Sequence, residues 1–288
     1  MTPEDGFIEA NGIRLHYLHW RSATSEDLPP MLLLHATGFL ARLWQPVAEA
    51  LANRFDVYGY DTRGHGDSDK PPPRGDTYHW RNLVADLRGF CDALGLRGVA
   101  IAGHSSGGAA AAYLAATHPE YLSRLVLFEP IILPAQFVPP EDRRSDLAEG
   151  ARKRRMVWSG PQELIDAYRS RPAFARWREE VLRLYAEHGT FRREDGKIEL
   201  KCPGAVEADL FDHSRSLDTW DRLPAIACPT LLMHGQLSGE PFPSLMGQIA
   251  ARMPKGRLAT IADAGHLAPM ERPQAVADTT LEFFGQAS

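Results

Sequence analysis

The sequence predicts an α/β protein with a mostly parallel central sheet flanked by helices and a helical cap inserted after the sixth strand. Three observations carry that expectation. Short apolar runs alternate with helix-like stretches along most of the chain, which is the pattern of a sheet covered on both sides. One long interval, between Glu129 and Thr230, breaks the alternation. The composition, 44% hydrophobic and 24% charged over 288 residues, is that of a soluble globular chain with enough length for one large core.

Taken in order, Asn11-Gly12 between Phe7-Ile8 and the stretch 13–20 signals a tight hairpin turn. Apolar runs then recur at 31–34, 57–60, 99–102, 125–128, 230–233 and 258–261, each the length of a strand buried on both faces. Helices are expected at 46–54, at 80–94 with Leu83, Leu87, Phe90 and Leu94 on one face, at the alanine-rich 106–117, and at 274–284. The long interval opens with the proline-rich stretch 134–140 and closes with Leu223-Pro224 and Cys228-Pro229. Within it Phe174, Trp177, Val181, Leu184 and Tyr185 fall at helical spacing, and a structureless loop of that length is improbable. Residues 1–130 and 223–288 are therefore assigned to a core, and 131–222 to a helical cap or lid.

Charge narrows the partners. Lys plus Arg is 32 against 37 Asp plus Glu, a formal charge of −5, so the basic excess that phosphate binding needs is missing. A small-molecule substrate is expected, with no nucleic acid and no membrane, in a monomer or homodimer. The three cysteines, Cys91, Cys202 and Cys228, form no CxxC pair and read as buried free thiols. The N-terminal residues carry acid where a signal peptide carries base, and no apolar run approaches the ~20 residues of a membrane span, so a cytoplasmic location is expected.

The chemistry gathers at Gly103-His104-Ser105-Ser106-Gly107, directly after one apolar run and before the alanine-rich helix. A sharp strand-to-helix turn lifts the central serine above the sheet, and glycines on either side avoid collisions in so tight a bend. Ser105 then stands at a helix N-terminus, which favours developing negative charge. A serine needs a base. Among eleven histidines His266 stands out, because it follows the last strand-like run and so shares the C-terminal sheet edge with Ser105. His35 and His234 also end strands, whereas His16, His19 and His118 occupy structural positions.

Four stretches in this order resemble the α/β-hydrolase family over nearly the whole chain outside the cap. They are His35-Ala36-Thr37-Gly38, the Asp61–Ser68 loop DTRGHGDS, the Gly103–Gly107 elbow, and Gly265-His266 with Glu271-Arg272-Pro273. The resemblance implies Ser105 as nucleophile, His266 as general base, and an oxyanion hole from the backbone N–H groups of Thr37 and Ser106. Ala36 stands where the family usually has glycine. After the 230–233 strand the family usually shows Gly-x-x-Asp, but this chain has Gly235-Gln236-Leu237-Ser238. Glu129, straight after the 125–128 run, is the best replacement for the acid, and Glu240 is its rival. An unpaired acid at a buried strand end is costly, and His266 would satisfy it.

Taken together these residues imply a serine hydrolase cleaving a small carboxylic ester or lactone through an acyl-enzyme, with a Ser105–His266–Glu129 triad. No cofactor and no metal are called for, since neither a phosphate-binding glycine loop nor a metal-spaced His/Cys cluster is written in the sequence. Family members that open epoxides or dehalogenate carry aspartate at the elbow, and Ser105 argues against both. Carbon–carbon or amide hydrolysis on the same triad, or a non-catalytic small-molecule receptor, are the alternatives. The Asp61–Ser68 loop reads as a charge-paired turn supporting the elbow. The basic cluster Arg143, Arg144, Arg152, Lys153, Arg154 and Arg155 reads as a solvated helix face, with a guanidinium gripping an acidic substrate as the sharper option. Trp158, Tyr168, Phe174, Trp177 and Tyr185 line or stiffen the cap, and Trp158 and Trp177 are the candidates for substrate contact.

Overall fold

The computed structural model describes residues 1–21, 28–134 and 145–285. The stretch 135–140 and both Arg143 and Arg144, singled out above, lie outside the described residues. Among the described residues eleven strands follow in chain order: β1 (Glu4–Ala10), β2 (Ile13–Trp20), β3 (Pro30–Leu34), β4 (Asp56–Tyr60), β5 (Val99–His104), β6 (Leu122–Phe128), β7 (Val157–Trp158), β8 (Thr190–Arg192), β9 (Ile198–Leu200), β10 (Thr230–Gly235) and β11 (Gly256–Ile261). Eight of them build one sheet in the order β1-β2-β4-β3-β5-β6-β10-β11. Only β2 runs against the rest, antiparallel to both of its neighbours, β1 and β4. The β1–β2 hairpin turns at Asn11-Gly12, where both residues take positive φ, 48° and 74°, the conformation that this dipeptide tolerates best.

Alternation along β3 builds both layers. Leu32 and Leu34 join a cluster with Leu83, Leu87 and Phe90 of the helix Trp80–Ala93 and Leu114 of Ser106–Thr117. Met31 and Leu33 face the other way, toward Val47, Ala48 and Leu51 of Gln45–Leu51 and Val276 and Phe283 of Pro273–Gly285. That is the period of two expected of a strand covered on both faces. Each fully buried Leu or Phe contributes roughly 1.5–3 kcal/mol by leaving water. At β11 the two-face expectation fails: Leu258 is 45% exposed, because β11 closes the sheet and has a neighbour on one side only.

Between β6 and β10 the described chain forms the helices Asp146–Arg152, Pro161–Arg169, Glu179–His188, Gly204–Asp212 and Thr219–Arg222. It also forms a small antiparallel sheet, β7-β9-β8, which helical periodicity did not announce. Strands of two or three residues are too short to leave a period. Trp158, Leu164, Trp177, Val181 and Tyr185 pack with Leu40, Leu43 and Met270, so this segment is seated on the loops after β3 and β11. Among the described residues, no helix is long and apolar enough to cross a membrane.

Candidate active site

The elbow is built from close backbone approaches. A Cβ on Gly103 would lie 2.7 Å from Gly107 O and Gly108 N, and one on Gly107 would lie 2.7 Å from Leu34 O and His35 O. Only glycine fits there. Ser105 is forced to φ 53° and ψ −113°, a strained conformation for a residue with a side chain. It is held by its own N–H, which donates to Phe128 O at 3.0 Å, and by its carbonyl, which accepts from Ala109 N at 2.9 Å. Ser106 opens the following helix, and the first amides of a helix have no acceptor in a preceding turn.

Glu129 is the next residue after β6 and is fully buried. It too is strained, with φ 38°. Its Oε2 stands 2.6 Å from His266 Nδ1. Its Oε1 accepts the Gly235 N–H at 2.9 Å and the Ser238 hydroxyl. Glu240, the rival, instead accepts from Ser244 Oγ on the surface. The structure thus brings Glu129, and not Glu240, to His266. Ser238, noted in the sequence only for the carboxylate it lacks, is the residue that steadies the carboxylate next door.

His266 keeps 33% of its side chain exposed and is gripped from several directions. Phe242 stacks on its ring at 4.9 Å and 28°. His104 packs at 4.9 Å and donates from Nε2 to the His266 carbonyl at 2.8 Å. One residue earlier, the Gly265 N–H donates to the buried Glu271 at 2.8 Å, and Arg176 lies 3.5 Å from that carboxylate. Since a carbonyl only accepts, His104 carries its proton on Nε2. Burial pushes its pKa well below the ordinary histidine value, so it stays neutral beside the His266 ring.

The loop after β3 is fixed by two more buried histidines. His35 donates from Nδ1 to Ala36 O at 2.8 Å and accepts the Thr62 N–H on Nε2 at 2.9 Å. His65 accepts the Gly38 N–H on Nε2 at 2.9 Å. Burial depresses both, His65 to about 3, with His35 adding to the effect there. The Asp61–Ser68 loop therefore braces the Thr37–Gly38 segment more directly than the elbow. Its charges pair outward, Asp61 with His16 at 2.8 Å and Arg63 with Asp86 at 2.6 Å. Burial opposes the Asp61 charge, but the hydrogen bond and charge of His16, with the Asp67 N–H, hold its carboxyl below the usual range.

Thr37 departs from the simplest expectation. Its N–H donates to Ser106 Oγ at 2.9 Å, and the two hydroxyls lie 3.0 Å apart. This amide is engaged by the Ser106 side chain, which would have to turn aside for the amide to serve an oxyanion. Trp158 and Trp177 are 1% and 5% exposed and lie within the packed layer of the inserted segment. Trp158 packs on Tyr168 and Trp177 on Phe39 and Phe174. Among the described residues, His16, Asp61 and Asp67 come close enough together to hold a metal ion, but both nitrogens of His16 are already hydrogen-bonded, to Asp61 and Asp5.

The arrangement has relatives. The model of the Alpha/beta hydrolase family matches residues 31–279. This chain belongs to the alpha/beta hydrolase family. An N-formylmaleamate deformylase from Pseudomonas putida is 30% identical over 269 residues, covering 92% of this alpha/beta hydrolase and 91% of the relative. Among solved structures, an E-2-(acetamidomethylene)succinate hydrolase superposes with a TM-score of 0.83 at 19% identity over 99% of this chain and 100% of its own. An enol-lactonase from Burkholderia xenovorans gives 0.73 at 24% identity, over 98% and 100%. At those identities the two structures establish the fold of this alpha/beta hydrolase.

Proposed function

We propose that the protein is a serine hydrolase that cleaves a small carboxylic ester or lactone through an acyl-enzyme. The observation that carries this reading is the 2.6 Å contact between His266 Nδ1 and the buried Glu129, beside a serine strained into an elbow. The carboxylate orients the imidazole and stabilises its protonated form. His266 Nε2 takes the Ser105 proton as Oγ attacks the carbonyl. The N–H groups of Ser106 and Thr37 receive the oxyanion once Ser106 Oγ has rotated away. His266 returns the proton to the leaving group, and water repeats the sequence on the acyl-enzyme. Each oxyanion donor is worth about 3 kcal/mol in the transition state.

Epoxide hydrolases are also among the relatives, over 42% of this chain. A serine at the elbow forms an acyl ester from a carbonyl substrate, which favours the acyl-transfer reading. The relationship to a deformylase over 92% of the chain favours amide cleavage on the same triad as the second reading. The test is rapid-mixing kinetics on a panel of 4-nitrophenyl esters, lactones and formamides. A burst of one product equivalent per enzyme, absent from Ser105→Ala, is expected with the ester. Turnover by Ser105→Ala within tenfold of the wild type would overturn the proposal.

A further inference from the structure

Arg154 is set apart from the basic cluster in which it stands. Arg152, Arg155 and Lys153 keep 32%, 50% and 79% of their side chains exposed, whereas Arg154 keeps 12%. The expected solvated face therefore holds for its neighbours and fails for this residue. Arg154 follows the helix Asp146–Arg152, in the turn that the next segment covers. Its Nη2 reaches Tyr185 Oη at 2.9 Å and Tyr168 Oη at 3.2 Å, and its Nη1 donates to Glu207 Oε2. Burial disfavours its charge, but Tyr185 and Glu207 more than offset this.

The position relative to the reaction centre is the second observation. A Cβ on Gly38 would lie 3.8 Å from Arg154 Nη1 and would collide with Glu207 Oε1. Gly38 follows Thr37, whose N–H touches Ser106, so the guanidinium stands one residue away from the loop proposed to receive the oxyanion. Glu207 also keeps 12% exposure, so the pair is largely buried with a narrow edge at the surface. A buried ion pair of this kind adds little net stability over apolar packing, which leaves recognition as its use.

We propose that Arg154, with the phenols of Tyr168 and Tyr185, is a recognition site for a carboxylate carried by the substrate, so that the ester or lactone cleaved is that of a polybasic organic acid. The inference rests on the serine-hydrolase reading above. A guanidinium presents paired N–H donors that match a carboxylate, and the two hydroxyls accept from its Nη2 and hold the fork in place, Tyr185 Oη donating in turn to Gly38 O at 3.4 Å. Burial pushes the Tyr185 phenol far above its ordinary pKa, keeping its proton in place. Glu207 engages this guanidinium through Oε2. The substrate carboxylate displaces it, and Glu207 turns toward the solvent that it already touches. One end of the substrate is then held while the carbonyl lies over Ser105.

The test compares the 4-nitrophenyl half-ester of succinate with its neutral methyl diester. The wild type is expected to prefer the half-ester, and Arg154→Met to lower kcat/KM for the half-ester about 10- to 100-fold relative to the diester, the loss appearing in KM. Glu207→Gln removes the resident competitor, so succinate should inhibit diester hydrolysis more tightly in this variant than in the wild type. Equal losses on both esters in Arg154→Met would overturn the proposal and make the cluster a packing latch. So would a wild type indifferent to the free carboxylate, or succinate inhibition unchanged by Glu207→Gln. A neutral fluorophosphonate separates the two levels: failure to label wild-type Ser105 overturns the hydrolase reading, whereas labelling without carboxylate preference overturns this inference alone.

Discussion

The ends of β6 and β10 lie side by side in the sheet, with Phe128 opposite Met233, and they carry different chemistry. After β6 stands a buried carboxylate, Glu129. After β10, where the resemblance leads one to expect the acid, stands Ser238. Adjacent strands are only about 4.8 Å apart, so a carboxylate from either end can reach the same imidazole. The difference teaches that a carboxylate partner for His266 is placed by the sheet edge and not by its position along the chain. The two ends also cooperate, since Gly235 N–H and Ser238 Oγ from the β10 side both donate to Glu129.

The largest expected effect breaks this comparison at the β6 end. Glu129→Gln should lower kcat on a 4-nitrophenyl ester by about 10³–10⁴, the scale on which loss of a triad carboxylate is felt, whereas Glu240→Gln should leave kcat at the wild-type value. The reverse order would move the acid to Glu240. The comparison is sharpened by transplanting the acid: Ser238→Asp in a Glu129→Ala background should raise kcat about tenfold above Glu129→Ala alone. No recovery would show that the β10 end cannot reach His266. A smaller effect is expected of Ser238→Ala, which removes one hydrogen bond to a charged group and should cost about tenfold in kcat. An unchanged kcat would reduce Ser238 to a bystander.

A separate expectation concerns stability. His35, His65 and His104 are buried neutral, with pKa values below those of the unfolded chain, so the unfolded state binds more protons as the pH falls below about 6.5. Stability should fall with acidification, by about 1.4 kcal/mol per pH unit for each histidine that stays neutral. Asp61, with its carboxyl held low, adds a loss of the same sign below about pH 4. His16 acts oppositely: its folded pKa is raised by Asp61 and Asp5 against the lowering by burial, so its contribution is lost as the pH rises through that value. Thermal melts between pH 7 and 4 should show Tm falling, less steeply in His65→Gln. A Tm that rises toward pH 4 would contradict the neutral assignments.

Much of the frame was legible in the sequence because its signals are local. The Asn11-Gly12 turn, the apolar runs and the strand–elbow–helix unit around Ser105 each declare themselves within a dozen residues. Even the carboxylate contact of His266 was readable, since Ser238 leaves a gap and Glu129 ends a neighbouring strand. What escaped depends on partners far along the chain. Arg154 meets Glu207 53 positions later, and it stands beyond a helix end, where periodicity says nothing about burial. His104 is the second residue of the elbow motif, but its hold on the His266 carbonyl spans 162 positions. The engagement of Thr37 by the Ser106 hydroxyl arises only when two loops meet. Leu258 shows the converse: an apolar run reads as buried until the strand order puts it at an edge.

The central claim is that Ser105 is activated by an imidazole whose partner is Glu129. Intact-mass timing of fluorophosphonate labelling tests it most directly. The account predicts rapid addition of one label to the wild type, none to Ser105→Ala, and slow labelling of Glu129→Gln. Labelling of Glu129→Gln at the wild-type rate, or of Ser105→Ala at any comparable rate, would contradict it.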